Sequence, residues 1–285
     1  MDQDLYTVAL INDVFFDDPE GARLRARLAE AKRQGADLAV LPELPLNPWS
    51  PARQTPADED AEAPDGPRHR RQAAAAREAG IAVLGGAIVR DPHTRRRYNT
   101  ALLFDASGEF VTAYRKLHLP EEDGFWETYH YEPGREAPRV VDGLGPSVGI
   151  QICSDINRPA GAQLLAAQGV EIVLAPRATP GSSYAQWRLV YQAVALTSTA
   201  YVVSVNRPRP EGGVPLGGPS LVVSPDGAVI LETEDPVAVV PLDVSMVHRL
   251  RKEYPGYMPF SASVYAEGWL RLVRQGSSSM KGVRA

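Results

Sequence analysis

Apolar positions along this chain recur with two periods, one of strand length and one of helix spacing, and they alternate from end to end. Leu5 to Ile11 reads as a strand, Gly21 to Gly35 as a helix with Leu24, Leu28 and Ala31 on one face, and Asp37 to Leu41 as a second strand. After a loop through Asp65, Gly66 to Gly80 is an alanine-rich helix, Ile81 to Val89 and Tyr98 to Phe104 are strands, and Asp105 to Gly108 carries hairpin chemistry. Val148 to Ile152 is an apolar strand that breaks at Cys153 into the polar turn Ser154-Asp155-Ile156-Asn157. Ala160 to Gln168 then looks helical, Glu171 to Ala175 is a strand, and Tyr184 to Thr199 is a long helix feeding the strand Tyr201 to Asn206. Ser220 to Ser224, Ala228 to Leu231 and Ala238 to Leu242 form a late β region with a turn at Pro225-Asp226-Gly227. Such alternation predicts an α/β fold packed in layers. There is no internal repeat and no low-complexity tract.

The 285 residues would allow two small domains, but no linker-like shift in composition divides them. One domain over residues 1–275 is predicted, with a polar, flexible tail at 276–285. Pro51 to Pro67, rich in Pro, Ala, Asp and Glu, suits an exposed loop and is a candidate lid. No charged-then-apolar leader and no run near the roughly 20 apolar residues of a membrane span is present, so a cytoplasmic protein is expected. The formal net charge of −5 comes without a basic stripe, which gives nucleic-acid binding no electrostatic support. Arg68-His69-Arg70-Arg71 and Arg95-Arg96-Arg97 read as solvated faces. One cysteine cannot make an internal disulfide, and there is no Cys/His spacing for zinc, so no metal is expected.

That one cysteine, Cys153, stands where a strand gives way to a turn and then a helix. Two further strand ends supply partners: LAVLPEL closes on Glu43, and YRKLHLP places Lys116 just after a strand. Each has a plainer reading alone, as a buried small hydrophobe, a turn cap and a solvated charge. All three nevertheless stand at strand ends beside loops, where scaffolds present functional side chains. Neither G-x-S-x-G nor H-E-x-x-H is present for a serine or metallohydrolase, and His118 and His130 read as structural or loop histidines.

Glu43 in LPELPLNPW, Lys116 in YRKLHLP, Glu127 in GFWETYHYEPG and Cys153 in GIQICSD, followed by GVEIVLAPRATP, together resemble the nitrilase superfamily of carbon-nitrogen hydrolases over nearly the whole chain. The resemblance implies a four-layer αββα sandwich, no cofactor, and a Glu-Lys-Cys centre acting on a small-molecule amide or ureide. A thiol with an ordinary pKa near 8.5 needs a base or a local positive field at neutral pH. Glu43 would be the general base, Lys116 would stabilise the tetrahedral oxygen, and the backbone N–H of Ser154 would be a second oxyanion donor. Glu127, five residues before Glu132-Pro133-Gly134, would hold Lys116 and help position the amine or the hydrolytic water; Glu121 and Glu122 are rivals without the flanking match.

Departures from subfamily patterns narrow the substrate. Cys153-Ser154-Asp155 replaces the Cys-Trp-Glu of nitrilases proper, which favours amide or ureide over nitrile hydrolysis. Ile156 and Asn157 stand where N-carbamoyl-D-amino acid hydrolases carry a carboxylate-binding arginine pair, which disfavours that substrate, and Arg158-Pro159-Ala160 lacks the glutamate of many amidases. Arg177 is expected either to bind a substrate carboxylate or to be a salt-bridged structural residue. Trp49, Phe125, Trp126, Asn157, Tyr184 and Trp187 are candidates for the pocket wall. Acyl transfer to an amine and a non-catalytic scaffold stay open. Relatives in the superfamily assemble as dimers or larger sets; here Tyr254, Tyr257, Phe260, Tyr265 and Trp269 put much apolar surface on a C-terminal arm, residues 254–275, expected to contact a second subunit.

Overall fold

The computed structural model describes residues 5–275, so the tail expected at 276–285 lies outside the described residues. Its first half runs β1 (Leu5–Ile11), α1 (Ala22–Arg33), β2 (Leu38–Val40), α2 (Pro67–Ala79), β3 (Ala82–Arg90), β4 (Arg97–Phe104) and β5 (Phe110–Arg115). A small hairpin, β6 (Glu121–Glu122) and β7 (Phe125–Trp126), and a single helical turn, α3 (Glu127–His130), follow. The second half runs β8 (Val148–Ile150), α4 (Pro159–Ala167), β9 (Ile172–Leu174), α5 (Tyr184–Ser198), β10 (Tyr201–Ser204), β11 (Ser220–Val223) and β12 (Val229–Thr233). It closes with β13 (Val237–Asp243), α6 (Val244–Leu250) and α7 (Ala262–Arg274).

Two sheets result, one ordered β13-β1-β2-β3-β4-β5 and one ordered β12-β11-β10-β9-β8. The period of two along each strand explains how they stack. In β1, Tyr6, Val8 and Leu10 enter the core between the sheets, where they meet Ile150, Leu174 and Val203. Ala9 and Ile11 face the other way, onto Leu24, Leu28 and Ala31 of α1 and Ala75 and Ala76 of α2. The second sheet does the same, with Val173, Val202 and Val223 against Leu165 of α4 and Tyr191, Val194 and Ala195 of α5. Helix, sheet, sheet and helix make the four layers of an αββα sandwich.

Local signals set the element ends. Three backbone N–H groups at the start of α1 donate to the Asp18 carboxylate at 2.9–3.1 Å. Pro67 opens α2, Glu62 accepts from the N–H groups of Arg68 and His69, and Gly80 at φ 62° ends the helix. β8 stops two residues short of the expected Ile152, because the Ile152 N–H turns to the Asp155 carboxylate instead of a strand partner.

The stretch expected as a plainly exposed loop, Pro51 to Pro67, is tied down. Glu62 pairs its backbone with Ile88 and Arg90 beside β3, and Arg90 and Arg97 both hold Asp58. Arg97 and Arg68 are thereby anchors, not wholly solvated charges, since Arg68 also donates to the Leu46 carbonyl. At the other end α7 is exposed along almost its whole length. No helix among the described residues is long and apolar enough to cross a membrane.

Candidate active site

Glu43, Lys116 and Cys153 lie just beyond the ends of β2, β5 and β8, and Glu127 opens α3 after the β6–β7 hairpin. The chain bends sharply at two of them. Cys153 has φ 47° and Leu44, directly after Glu43, has φ 49°, left-handed values that cost a non-glycine residue and cluster where function requires them. The Cys153 N–H still reaches the Pro176 carbonyl at 2.9 Å, so the elbow is anchored to the chain beyond β9 before it turns. The glycine of Glu132-Pro133-Gly134 has an equally local reason: a Cβ there would come within 2.4 Å of the Arg115 carbonyl oxygen, while its N–H donates to the Lys116 carbonyl.

Lys116 Nζ donates to Glu43 Oε1 at 2.8 Å and to Glu127 Oε1 at 2.6 Å, with all three side chains sealed from solvent. Asn99 completes the set by donating to Glu43 Oε1 at 2.7 Å. The second oxygens, Glu43 Oε2 and Glu127 Oε2, have no protein partner. Two carboxylates thus face one ammonium in a dry site. Burial pushes Glu127 up to about 8, helped by Glu43 and opposed by Lys116, and the same two carboxylates hold Lys116 well above its ordinary value against its own burial. Burial and the Glu43 charge push the Cys153 thiol up, with Lys116 pulling the other way, so the resting sulfur keeps its proton and needs a base. Its Sγ lies 3.9 Å from the Ala178 carbonyl oxygen. Ser154, half-buried, sits in the first turn after the elbow, where backbone N–H groups lack helical acceptors.

Three residues that sequence reasoning passed over hold this centre in place. Asn99 is one. Asp155, fully buried, accepts from the N–H groups of Leu117, His118 and Ile152 and from the Tyr114 hydroxyl, and lies 2.8 Å from His118 Nδ1. Arg207 donates to the carbonyls of Glu43, Leu44 and Asn47 and is gripped by Glu211 at 2.9 and 2.6 Å. Asp155 stood two residues from the cysteine in sequence; nothing local in Asn-Arg-Pro marked Arg207, whose carbonyl partners lie some 160 residues away.

The other expected residues are placed less uniformly. Trp49 is buried between the Glu43 loop and the hairpin, with Nε1 donating to the Gly124 carbonyl and its ring edge-on to Phe125. Trp126 is half-buried against Tyr129, Tyr184 is half-buried with its ring 5.6 Å from the Arg177 guanidinium, and Trp187 stacks on Tyr191. Asn157 is exposed at the end of the turn. Arg177 is fully buried and donates to Ser204, Thr179 and the Pro219 carbonyl; no carboxylate of the described residues pairs with it. Its bonds here are those of a neutral-partnered tie between the strand ends, not of a salt bridge. His130 is buried, with Nε2 at 2.7 Å from the Arg53 carbonyl. Among the described residues no group of three or more His, Cys, Asp or Glu is arranged to hold a metal ion.

Comparison with known proteins finds relatives over most of the chain. The carbon-nitrogen hydrolase profile matches residues 16–252. A nitrilase from Pyrococcus abyssi is 31% identical over 238 residues, covering 82% of this chain and 87% of its own. An omega-amidase from Xenopus tropicalis is 30% identical, covering 80% and 84%. Among solved structures, an amidase from Nesterenkonia sp. AN1, in a variant described with covalent addition of the acetamide moiety of fluoroacetamide at the active site cysteine, superposes with a TM-score of 0.76 at 25% identity, over 92% of this chain and 96% of that one. A carbon-nitrogen hydrolase from Helicobacter pylori G27 shares the fold at a TM-score of 0.82 and 18% identity, over 92% and 98%.

Proposed function

Because the chain belongs to the carbon-nitrogen hydrolase family, we propose that it is a thiol amidase that cleaves a linear carboxamide, or an N-carbamoyl amine, through a Cys153 thioester. The observation that carries this reading is the buried Lys116 ammonium between Glu43 and Glu127, beside a nucleophile on a strained elbow. Glu43 takes the Cys153 proton as sulfur attacks the carbonyl carbon. The oxygen that becomes negative is met by Lys116 and the Ser154 N–H, worth about 3–4 kcal/mol per donor in comparable sites. Collapse of the tetrahedral adduct breaks the C–N bond, and Glu43 returns the proton to the departing ammonia or amine. Water then attacks the thioester carbon, giving up its proton to Glu43, and the acid leaves as the thiol is restored. Glu127 holds Lys116 and offers its free oxygen to the amine or the water.

Among the pocket-wall candidates, Trp126 and Tyr184 keep part of their surface free, whereas Trp49 is buried. The omega-amidase and amidase relatives support a carboxamide, and it is the Cys153-Ser154-Asp155 sequence that sets it before the nitrile a nitrilase relative would suggest. A sole thiol suits a reducing, cytoplasmic setting, and the exposed C-terminal arm suits a homodimer or larger homo-oligomer.

The test is to offer primary amides, N-carbamoyl amines, N-carbamoyl amino acids and nitriles to the wild type and to Cys153→Ala, following ammonia and the mass of the protein. Ammonia and an acyl adduct on Cys153, both lost in the variant, support the reading. Transfer of the acyl group to an added amine in place of hydrolysis moves it to an acyltransferase, and silence across the panel moves it to a scaffold.

A further inference from the structure

The three catalytic strand ends belong to two different sheets. Glu43 and Lys116 follow β2 and β5 of the six-stranded sheet, and Cys153 follows β8 of the five-stranded one. No strand pairing joins those sheets among the described residues. Between them lies an apolar core, and apolar packing is non-directional, so by itself it leaves the relative sliding of two faces loosely specified. The attack of sulfur beside Lys116 tolerates no such slack, since a displacement of about 1 Å costs about 100-fold in rate. Something directional must fix Lys116 against Cys153.

Asp155 is placed to do so. One carboxylate oxygen takes the N–H groups of Leu117 and His118, directly after Lys116, at 3.1 and 2.9 Å. The other takes the N–H of Ile152, directly before Cys153, at 3.2 Å, and the hydroxyl of Tyr114 at 3.0 Å. A single rigid group therefore spans both catalytic loops, and Tyr114, on β5, adds a tie to the strand that delivers the lysine. Hydrogen bonds to an ionised acceptor are the directional, strong kind, and they act here without competition from water, since Asp155 is fully buried.

We propose that Asp155 is the positioning residue of this centre: it touches neither the sulfur nor the ammonium but sets the distance and angle between them. The inference rests on the thiol-hydrolase reading of the same site. Its test is chosen so that the two fail separately, because alkylation of the thiol needs no knowledge of the substrate. Iodoacetamide forms an S–CH2 bond as iodide leaves and the thiol proton passes to Glu43, and Cys153 is the only cysteine, so one mass shift reports it alone.

Asp155→Asn and Tyr114→Phe are compared with wild type for the rate of that alkylation across pH, for kcat and KM on the best amide of the panel, and for unfolding. The expected result is a fall in kcat of about 100-fold for Asp155→Asn with KM little changed, a smaller fall of the same kind for Tyr114→Phe, and a slowed alkylation whose pH profile moves in both. Folded variants with wild-type alkylation and kcat overturn the proposal. So does a loss of activity that matches only the fraction of protein unfolded. If Asp155→Asn does not fold, Tyr114→Phe, which deletes a single hydrogen bond, decides between the same two outcomes. A wild type that alkylates normally yet turns over no amide sinks the hydrolase reading and leaves the positioning of Cys153 measurable.

Discussion

Burial governs Glu127, and the single positive charge that Lys116 brings to two carboxylates does not offset it. With its carboxyl pushed up to about 8, Glu127 keeps a proton at neutral pH, on the oxygen that Lys116 does not hold. Activity should therefore fall on an alkaline limb near pH 8, read from kcat against pH, and Glu127→Gln, which cannot ionise, should flatten it. A limb unchanged in that variant assigns the titration to another group. Stability carries the same sign. The native state holds a proton that the unfolded chain loses near 4.5, so this contribution is fully present below that pH and is lost as pH rises through about 8. Urea midpoints for wild type, set against Glu127→Gln, measure it. Lys116→Ala should cost about 10²–10³ in kcat, because the oxyanion loses its charged donor and two carboxylates lose their counter-ion.

The elements differ in what they tolerate. Asp18 serves only the start of α1, so Asp18→Ala should cost about 1 kcal/mol of stability with kcat unchanged. The β6–β7 hairpin is two residue pairs long and delivers Glu127, so its position depends on what it leans on. Trp49 donates to Gly124 at its turn, and Val214 packs against the same glycine. Trp49→Phe keeps the packing and deletes the hydrogen bond. It should lower kcat more than a comparable loss elsewhere, for a stability cost of about 1 kcal/mol, measured by steady-state kinetics beside urea unfolding. Arg207 joins the loop after β2 to the chain after β10, and Arg207→Met strands Glu211 and three carbonyls. A loss of about 3–5 kcal/mol in urea unfolding is expected, the range for breaking one half of a buried ion pair.

At the scale of the whole molecule, both sheets are built by the same succession. Strand, helix, strand, helix, strand lie parallel, and two further strands then return antiparallel, β1 to β5 in one half and β8 to β12 in the other. No repeat is visible in the residues, because a layered core asks only for apolar positions at the right period and accepts many side chains there. The two halves face each other, and Glu43, Lys116, Glu127 and Cys153 come together where their strand ends meet. Among the described residues the C-terminal arm carries a run of exposed apolar side chains, with Tyr254 at 74%, Tyr265 at 68% and Trp269 at 58% exposure. Deleting residues 254–285 should lower the assembly size seen by light scattering; an unchanged mass would remove the arm from the interface.

What the sequence determined by itself was whatever is local. Periodicity marked most strands and helices to within one or two residues, and Glu43, Lys116 and Cys153, each with a plainer reading alone, were singled out together by their strand ends and flanking motifs. Glu127 needed the Glu-Pro-Gly that follows it, whose glycine the Arg115 carbonyl explains. The short hairpin, α3 and α6 escaped, since two to seven residues carry too little period to read, and α7 was expected only as an apolar arm, not as a helix. Only the tertiary structure decided which polar groups meet. Asn99 reaches Glu43 across 56 residues, Asp155 reaches Leu117 across 38, and Arg177 spends its guanidinium on Ser204, Thr179 and Pro219. A hydrogen bond depends on distance and direction between groups far apart in the chain, and a pattern of apolar spacing holds no information about either.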